Sequence, residues 1–288
     1  MSMPLTVRML RWWGHRQWLP LGLRYRLVRK LADPERMAPL AFECDFAGLR
    51  YGGRLDSYID WSVYFLGAYE PEALTFLADR AAAAGPGAVF VDIGANVGQH
   101  SLYMAPHVAR VVAFEPWERA RTAFLDNIAR NRLDNVVVHP VALGERDEVL
   151  PFHVPATSNL GTGSFVAGLN DNVAGESLPV RRGDDMLADL DRVDVVKIDT
   201  EGFELQVLRG LAETLARHRP VVMFELNDVM VATLGGADVF ARSLDMLMGG
   251  GWRFHRLLAK GAGYRLAPLV HDGGHAVAVA VPDNIERR

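Results

Sequence analysis

Cysteine is almost absent: Cys44 is the only one in 288 residues. That excludes an internal disulfide, a cysteine-rich zinc site and a cysteine-ligated iron–sulfur cluster within this chain. Long apolar runs are missing too. None approaches the roughly 18–20 residues that span a bilayer. Arginines break up the N-terminal region, and no uninterrupted apolar stretch leads to a small-residue cleavage site, so a signal peptide is not expected. A cytoplasmic location is the expectation. A strong charge of either sign is also lacking. A net charge of −4 does not describe a chain that binds nucleic acid through its bulk electrostatics. Internal repeats and low-complexity segments do not occur.

What is present is a chain that is 50% hydrophobic, enough for one sizeable core and a smaller appendage. Its charge is unevenly placed. The first 32 residues hold seven basic side chains (Arg8, Arg11, Arg16, Arg24, Arg26, Arg29 and Lys30) and no acid. The remainder carries 24 basic against 35 acidic residues, a net charge near −11. Trp12, Trp13, Trp18 and Tyr25 lie among the cations. Such a segment suits peripheral contact with the anionic inner face of a membrane. The competing reading is an amphipathic helix packed on the domain with its arginines solvated. Gly14, Pro20 and Gly22 interrupt any long helix, which favours the latter.

Residues 1–40 read as a helical extension closed by Asp33-Pro34 and Pro39, and 42–51 alternates like a short strand pair. An N-terminal helical and short-β extension over 1–68 is expected to precede a main domain over 69–288. Helices are expected at 59–67 and 71–84, the second opening on Pro71. Strand 88–92, helix 98–105, strand 110–114, helix 117–131 and strand 135–139 then alternate. A β-rich, glycine-containing stretch covers 141–182, followed by a short helix near 184–190. Strand 194–198, helix 203–217, strand 220–225, helix 237–249 and strands 252–257 and 275–281 complete the pattern. Gly-rich segments at 161–163, 249–251 and 261–263 read as surface loops. Continuous apolar runs suit strands covered on both faces. The order predicts an α/β fold, a doubly wound, mostly parallel, Rossmann-like sheet with an N-terminal helical/β extension.

Two segments carry the chemistry. In the first, AVFVDIGANVG, an apolar strand ends in Asp92 and runs into a turn with Gly94, Ala95, Asn96 and Gly98. The next strand ends in Glu115-Pro116, with Glu115 standing 23 residues after Asp92. Ligands of open parallel sheets sit beyond the carboxyl ends of the strands, where strand order reverses. A carboxylate there can accept hydrogen bonds from an adenosine ribose, which serves a nicotinamide dinucleotide and S-adenosyl-L-methionine equally. Two details choose. The turn lacks the full Gly-x-Gly-x-x-Gly pyrophosphate fingerprint. And an acid precedes it, which repels a pyrophosphate but attracts the ammonium and sulfonium of S-adenosyl-L-methionine.

The second segment is VVKIDTEGFELQVLRG, residues 195–210. A strand ends at Asp199, and Glu201 and Glu204 fall early in the following helix, where acids suit the helix dipole. On the next strand Glu225 ends MFE, with Asn227 and Asp228 beyond. Asp199, Glu225 and Asn227 are a candidate oxygen set for Mg²⁺. Alternatively one carboxylate is a general base, with Asp199 foremost, then Glu201 and Glu225, and His100 or His153 as further candidates. Asp199-Thr200-Glu201-Gly202 stands where an Asn/Asp-Pro-Pro-aromatic tetrapeptide would point to methylation of an amine or nucleobase.

VDIGANVGQHSLYM (91–104), AFEP, VALGE, VVKIDTEGFELQVLRG and PVVMFE together resemble the FkbM family of S-adenosylmethionine-dependent methyltransferases. The resemblance runs from about Tyr69-Glu70 to Glu225. It implies a class I methyltransferase fold and O-methylation of a hydroxyl on a sugar, glycan or secondary metabolite. Position by position, it implies that Asp92, Gly94, Asn96 and Gly98 line the amino-acid end of the cofactor, with Glu70 and Ala95 in the same set. Glu115, with Pro116, would hold the ribose, Ala142 and Leu143 would lie at the adenine, and Asp199 and Glu201 match the acidic pair of the second motif. The acceptor pocket is expected from the N-terminal region, the 155–175 loop and the 226–240 segment. Two other readings compete: a nicotinamide-dependent oxidoreductase, and a membrane-associated cofactor-binding protein without turnover.

Overall fold

The computed structural model describes residues 3–16, 18–154, 163–167, 173–261 and 263–283. The expected alternation is there. Strand β3 (Val89–Ile93) is buried along its whole length, as its unbroken apolar run requires. It pairs in parallel with β4 (Arg110–Phe114) on one side and β9 (Val195–Ile198) on the other. From β4 the sheet continues to β5 (Val136–His139), and from β9 to β10 (Val221–Leu226), all parallel. Strand β13 (Ala276–Pro282) runs antiparallel to β10 and to β11 (Trp252–Lys260). The eight strands lie in the order β12-β11-β13-β10-β9-β3-β4-β5, β12 being Gly263–Pro268. After β3 the chain builds outward through β4 and β5, then returns to lay β9 on the other flank. Strand order therefore reverses at β3, and a crevice opens at the carboxyl ends of β3, β4 and β9.

Helices cover both faces. Packed on one are α8 (Glu204–Gly210), α9 (Ala212–His218) and α11 (Phe240–Leu247), whose Leu208, Leu215 and Leu244 meet Val196, Val222 and Phe224. On the other, α4 (Pro71–Ala84) sets Phe76 and Leu77 against Phe90, Val111 and Val279. The described residues up to 68 include α1 (Leu5–Gly14), α2 (Leu21–Leu31), the hairpin β1–β2 (Ala41–Phe46 and Leu49–Arg54) and α3 (Tyr58–Leu66). Their Trp61, Phe65, Phe46 and Tyr51 share one cluster with Ala95 and Leu102 of the crevice turn and α5 (Gln99–Met104), and with Phe124 of α6 (Glu118–Asn131). The extension is thus built onto the wall of the crevice.

Four elements differ from the sequence reading. The helix expected over 203–217 breaks at Leu211 into α8 and α9, next to Gly210, which lies so close to the backbone of Gly144 that a Cβ there would meet its carbonyl oxygen at 1.8 Å. The β-rich stretch after 141 is a separate three-stranded sheet of β6 (Ala142–Gly144), β8 (Val173–Arg182) and β7 (Glu148–Val154). A short helix α10 (Asp228–Thr233) follows β10, capped by Asn227, whose Oδ1 accepts from Met230 N at 2.9 Å. Strand β12 was not expected at all. Residues 161–162 and 262 of the glycine-rich loops, and much of 155–175, lie outside the described residues. Among the described residues no helix is long and apolar enough to cross a membrane.

Candidate active site

The turn after β3 folds back over its neighbours. Gly94 N and Ala95 N both donate to Phe114 O, at 3.0 and 3.1 Å. Gly94 has φ +77°, and a Cβ on it would stand 1.9 Å from the carbonyl oxygen of Asp199. Only glycine fits there. Gly98 (φ +80°) opens α5 over the ring of Phe124, which a Cβ would meet at 2.0 Å.

Lys197 ties the strand ends together. Register pairs it with Asp92 across β3 and β9, so both side chains share one face of the sheet. Its Nζ lies 3.3 Å from Asp92 Oδ1 and 3.3 Å from Asp199 Oδ2, and donates to Gly94 O at 2.9 Å. Burial alone would drive the proton off this amine, but Asp92, Asp199 and Glu70 together hold the ammonium above its usual range. The placement of Asp92 departs from the expectation that it faces a ligand. It is fully buried, accepts from Ser101 Oγ at 2.7 Å, and lies beneath the turn rather than on a cavity wall. Gly98 is likewise a packing position and lines neither cavity.

Two joined cavities occupy the crevice. The smaller, of about 50 Å³, is walled by Ile93, Pro116, Trp117, Leu143, Phe152 and Phe203, with Ala142 beside them and Glu115 at its rim. Glu115 accepts from Asn96 N and Trp117 N, both at 2.8 Å, and burial raises its pKa to about 7. Gly94, Asn96, Asp199 and Glu201 line both cavities and form the junction.

The larger cavity, of about 410 Å³, is bounded by Tyr58, Tyr69, Glu70, His100, Glu225 and His275, with Ala95 and Gln99 beside the turn. Burial, with Asp199 adding repulsion, raises the Glu70 and Glu225 carboxyls to about 7. Glu225 Oε1 lies 2.5 Å from His275 Nδ1, while its Oε2 is buried with no hydrogen-bond partner. Burial and Lys197 push His100 down to about 3, so its imidazole is neutral. Its Nε2 is therefore no ion-pair partner for Glu70 Oε2, 3.7 Å away, and makes no hydrogen bond. Gln99 Nε2 is similarly buried without a partner.

Three residues of the larger cavity's wall hold a left-handed backbone without being glycine: Glu70 (φ 47°), Asn96 (φ 53°) and Glu201 (φ 52°). Such conformations cost of order 1–3 kcal/mol each and persist only where neighbours impose them. Buried side chains grip each segment. Gln99 Oε1 takes Tyr69 N at 2.8 Å, and Glu115 Oε2 takes Asn96 N. Glu204 Oε1 takes Thr200 N at 2.9 Å and Gly202 N at 3.1 Å. Glu204 is thus the clamp of the acidic loop, a role beyond a first-turn acid.

The oxygen set suggested for Mg²⁺ is not assembled. Asn227 is spent on capping α10 and on a 3.4 Å contact to Glu204 Oε2, and Asp199 already faces the Lys197 ammonium. Among the described residues no group of three or more His, Cys, Asp or Glu side chains is placed to hold a metal ion. His153 sits in β7, bridged to Ser164, away from both cavities. Of the segments expected to build the acceptor pocket, the N-terminal region supplies Tyr58 and Ile59. Gly163 and Phe165 reach the smaller cavity, and 226–240 contributes to neither. The residues missed from sequence, Tyr58, Tyr69, Gln99, Lys197 and His275, come from separate elements; Gln99 and Lys197 stood within the two conspicuous motifs, while Tyr58 and His275 stood in none.

These buried acids set a pH dependence. Glu70, Glu115 and Glu225 titrate near 7 in the fold, and burial lifts Asp60 to about 6, all above their ordinary carboxyl values. The buried, neutral His100 works the other way, since the unfolded chain protonates it below about 6.5. One histidine against these acids leaves the folded chain binding more protons, and stability falls as pH rises through about 7. Without ligand, the melting temperature is expected to be several degrees lower at about pH 8 than at about pH 6. A melting temperature that climbs over that interval in calorimetric scans contradicts this.

The profile of the Methyltransferase FkbM domain matches residues 92–266. The AMB antimetabolite synthetase AmbE of Pseudomonas aeruginosa is 30% identical over 195 residues, 54% of this chain and 9% of that one. Methyltransferase 1 of Beauveria bassiana is 30% identical over 142 residues, 42% of this chain and 57% of its own length. The chain thus spans little more than half of one curated relative and a small part of the other. Among solved structures, Methyltransferase FkbM from Methylobacillus flagellatus KT aligns at 15% identity over 90% of this chain and 60% of its own, with a TM-score of 0.42. With the profile covering more than half of its length, this chain belongs to the FkbM family of S-adenosylmethionine-dependent methyltransferases.

Proposed function

We propose that this protein methylates a hydroxyl of a sugar, glycan or secondary-metabolite acceptor. S-adenosylmethionine fits the residues present. The smaller cavity, with the rings of Trp117, Phe152, Phe165 and Phe203 set among aliphatic side chains, suits an adenine ring. Glu115 at the tip of β4 suits the ribose hydroxyls, and the acids at the junction suit an ammonium. When bound, the cofactor supplies an electrophilic methyl group on a sulfonium leaving group. The chain's own work is then to hold an acceptor oxygen in line, exclude water and take a proton.

The observation that carries the hydroxyl reading is Glu225. It opens on the larger cavity, titrates near 7 and touches His275, which is exposed. The Glu225 carboxylate suits accepting an alcohol's proton near neutral pH, and His275, on its Oε1, suits passing that proton to solvent. Tyr58 and Tyr69 offer ring faces, and Gln99 and the neutral His100 offer hydrogen bonds, a mixture that suits a hydroxylated acceptor. Asp199, held by Lys197, then positions the junction. Neither a nicotinamide-dependent oxidoreductase nor a binding protein without turnover is favoured.

The test is an acceptor screen read by S-adenosylhomocysteine release, preceded by calorimetry with S-adenosylmethionine and with NAD. S-adenosylmethionine is expected to bind and NAD is not. EDTA is expected to leave the rate unchanged, since the cation at Asp199 is Lys197. Binding of NAD alone would end the cofactor reading. Methyl transfer confined to amines or carbon acids would end the hydroxyl reading.

A further inference from the structure

Helices α1 and α2 are pinned to the body on one side and bare on the other. Val7 and Val28 are buried, and Gly14 lies so near α3 that a Cβ would meet Phe65 O at 1.9 Å. Arg24 Nη1 donates to Gly14 O at 2.7 Å, and His15 Nε2 contacts Tyr64 O at 3.0 Å. The pair is a fixed ledge. On its outer side Leu5, Met9 and Trp12 repeat at i, i+4 and i+7 along α1, and Leu23, Leu27 and Leu31 at i, i+4 and i+8 along α2. Trp18 stands between them. Leu5 and Trp18 are each 70% exposed, Leu31 62% and Trp12 53%. Large apolar side chains exposed in this number on two adjoining helices mark an interaction site.

Charge identifies the partner. No acid occurs in the first 32 residues, and of their seven cations only Arg29 reaches a carboxylate among the described residues, Glu35 at 3.8 Å. Arg16 stacks on Trp12 at 3.8 Å from the ring centroid, an arrangement that keeps the cation beside an apolar ring. Arg26, Arg29, Lys30 and Arg36 line a cleft of about 540 Å³ at the end of α2, with Asp33 the acid among them. The rest of the chain is strongly acidic, so an anionic surface repels the body and attracts this ledge, which sets the orientation. Exposed Trp and Leu interleaved with Arg and Lys are the composition that lies in a lipid interface.

We propose that α1 and α2 dock the protein on an anionic lipid bilayer, inserting Leu5, Met9, Trp12 and Trp18 at the level of the headgroups. The ledge adjoins the larger cavity: Tyr58, on its wall, donates to Tyr25 Oη of α2 at 3.1 Å. The docked enzyme therefore presents that cavity's α3 wall close to the lipid.

Co-sedimentation of the full chain with vesicles tests this. The protein is expected to pellet with phosphatidylcholine–phosphatidylglycerol vesicles, to stay in the supernatant with phosphatidylcholine alone, and to be released by added salt. Each basic residue near such a surface contributes about fivefold, so Arg8→Glu/Arg26→Glu/Lys30→Glu is expected to cut partitioning roughly 100-fold or more. Trp12→Ser/Trp18→Ser is expected to cut it roughly tenfold or more. All five positions are exposed, and unchanged melting of both variants shows that the fold survives. Failure of the wild type to pellet with either vesicle overturns the proposal, as does pelleting that the charge reversals leave intact. So does a dimer in sedimentation equilibrium that Trp12→Ser/Trp18→Ser dissolves while no vesicle binding is seen, which assigns the ledge to a second copy.

Discussion

Lys197→Met is expected to lower the melting temperature by on the order of 10 °C and to abolish cofactor binding. Lys197 is 3% exposed, and its ammonium faces Asp92, which is fully buried, and Asp199. Removing one partner of a buried pair costs about 3–5 kcal/mol, because the other charge is left without compensation. At about 2–4 °C per kcal/mol for a chain of this size, the shift follows. Asp199, half-open to the cavity, can recover water; Asp92 cannot, and keeps only the Ser101 hydroxyl. The loss is therefore expected to come chiefly from Asp92. Pairing the substitution with Asp92→Asn should restore a large part of the melting temperature, since a neutral amide needs no counter-ion. The carbonyl of Gly94 also loses its Nζ donor, which loosens the junction where Gly94 approaches Asp199. A single-variant shift below about 2 °C, or a double variant less stable than the single, would refute this account of the charges.

That network shows why the sequence yields some features of the site and hides others. Strands 88–92, 194–198 and 220–225 are legible because a strand covered on both faces must be apolar throughout. Strand β12 is hidden because it pairs only with β11 at the sheet edge and none of its residues is fully buried, leaving no pattern to read. Glu115 and Pro116 follow the end of an apolar strand and are legible there, whereas Ala142 and Leu143, in β6, were marked only by the family resemblance; all four line the smaller cavity. Asp92 also stands at a strand end, yet it faces Lys197. Choosing between ligand and lysine requires knowing that β9, more than a hundred residues later, lies beside β3 in the register that pairs the two. Tyr58, Tyr69 and His275 belong to no motif. They reach the cavity only because the extension and the last strand are folded against it.

The left-handed residues repeat that lesson at the level of backbone. Glutamate has no preference for positive φ, so nothing local marks Glu70 or Glu201 as turn positions. Their conformations come from Gln99 and Glu204, which hold the neighbouring amides from buried positions. In both cases the gripping side chain is several residues or a whole element away. What the sequence does record is the clamp itself: an acid buried at the start of α8 is costly unless amides satisfy it, and Thr200 and Gly202 do.

Glu225→Gln is expected to lower turnover by about 10²–10⁴-fold while leaving cofactor affinity nearly unchanged. A base must be deprotonated to act, and Glu225 titrates near 7. The wild-type rate is therefore expected to rise between about pH 6 and 8 and then level off, and the variant's residual rate to lack that rise. Neighbours then separate this base from its rival. Contact with His275 lowers the Glu225 carboxyl and the charge of Asp199 raises it. His275→Ala should move the midpoint of the profile to higher pH, and Asp199→Asn should move it to lower pH with substantial turnover retained. If Asp199 were the base instead, Asp199→Asn would remove turnover at every pH and Glu225→Gln would spare it. The direction in which each substitution moves the midpoint distinguishes a group that takes the proton from one that only sets the field around it, because a merely structural loss lowers the rate without displacing the titration.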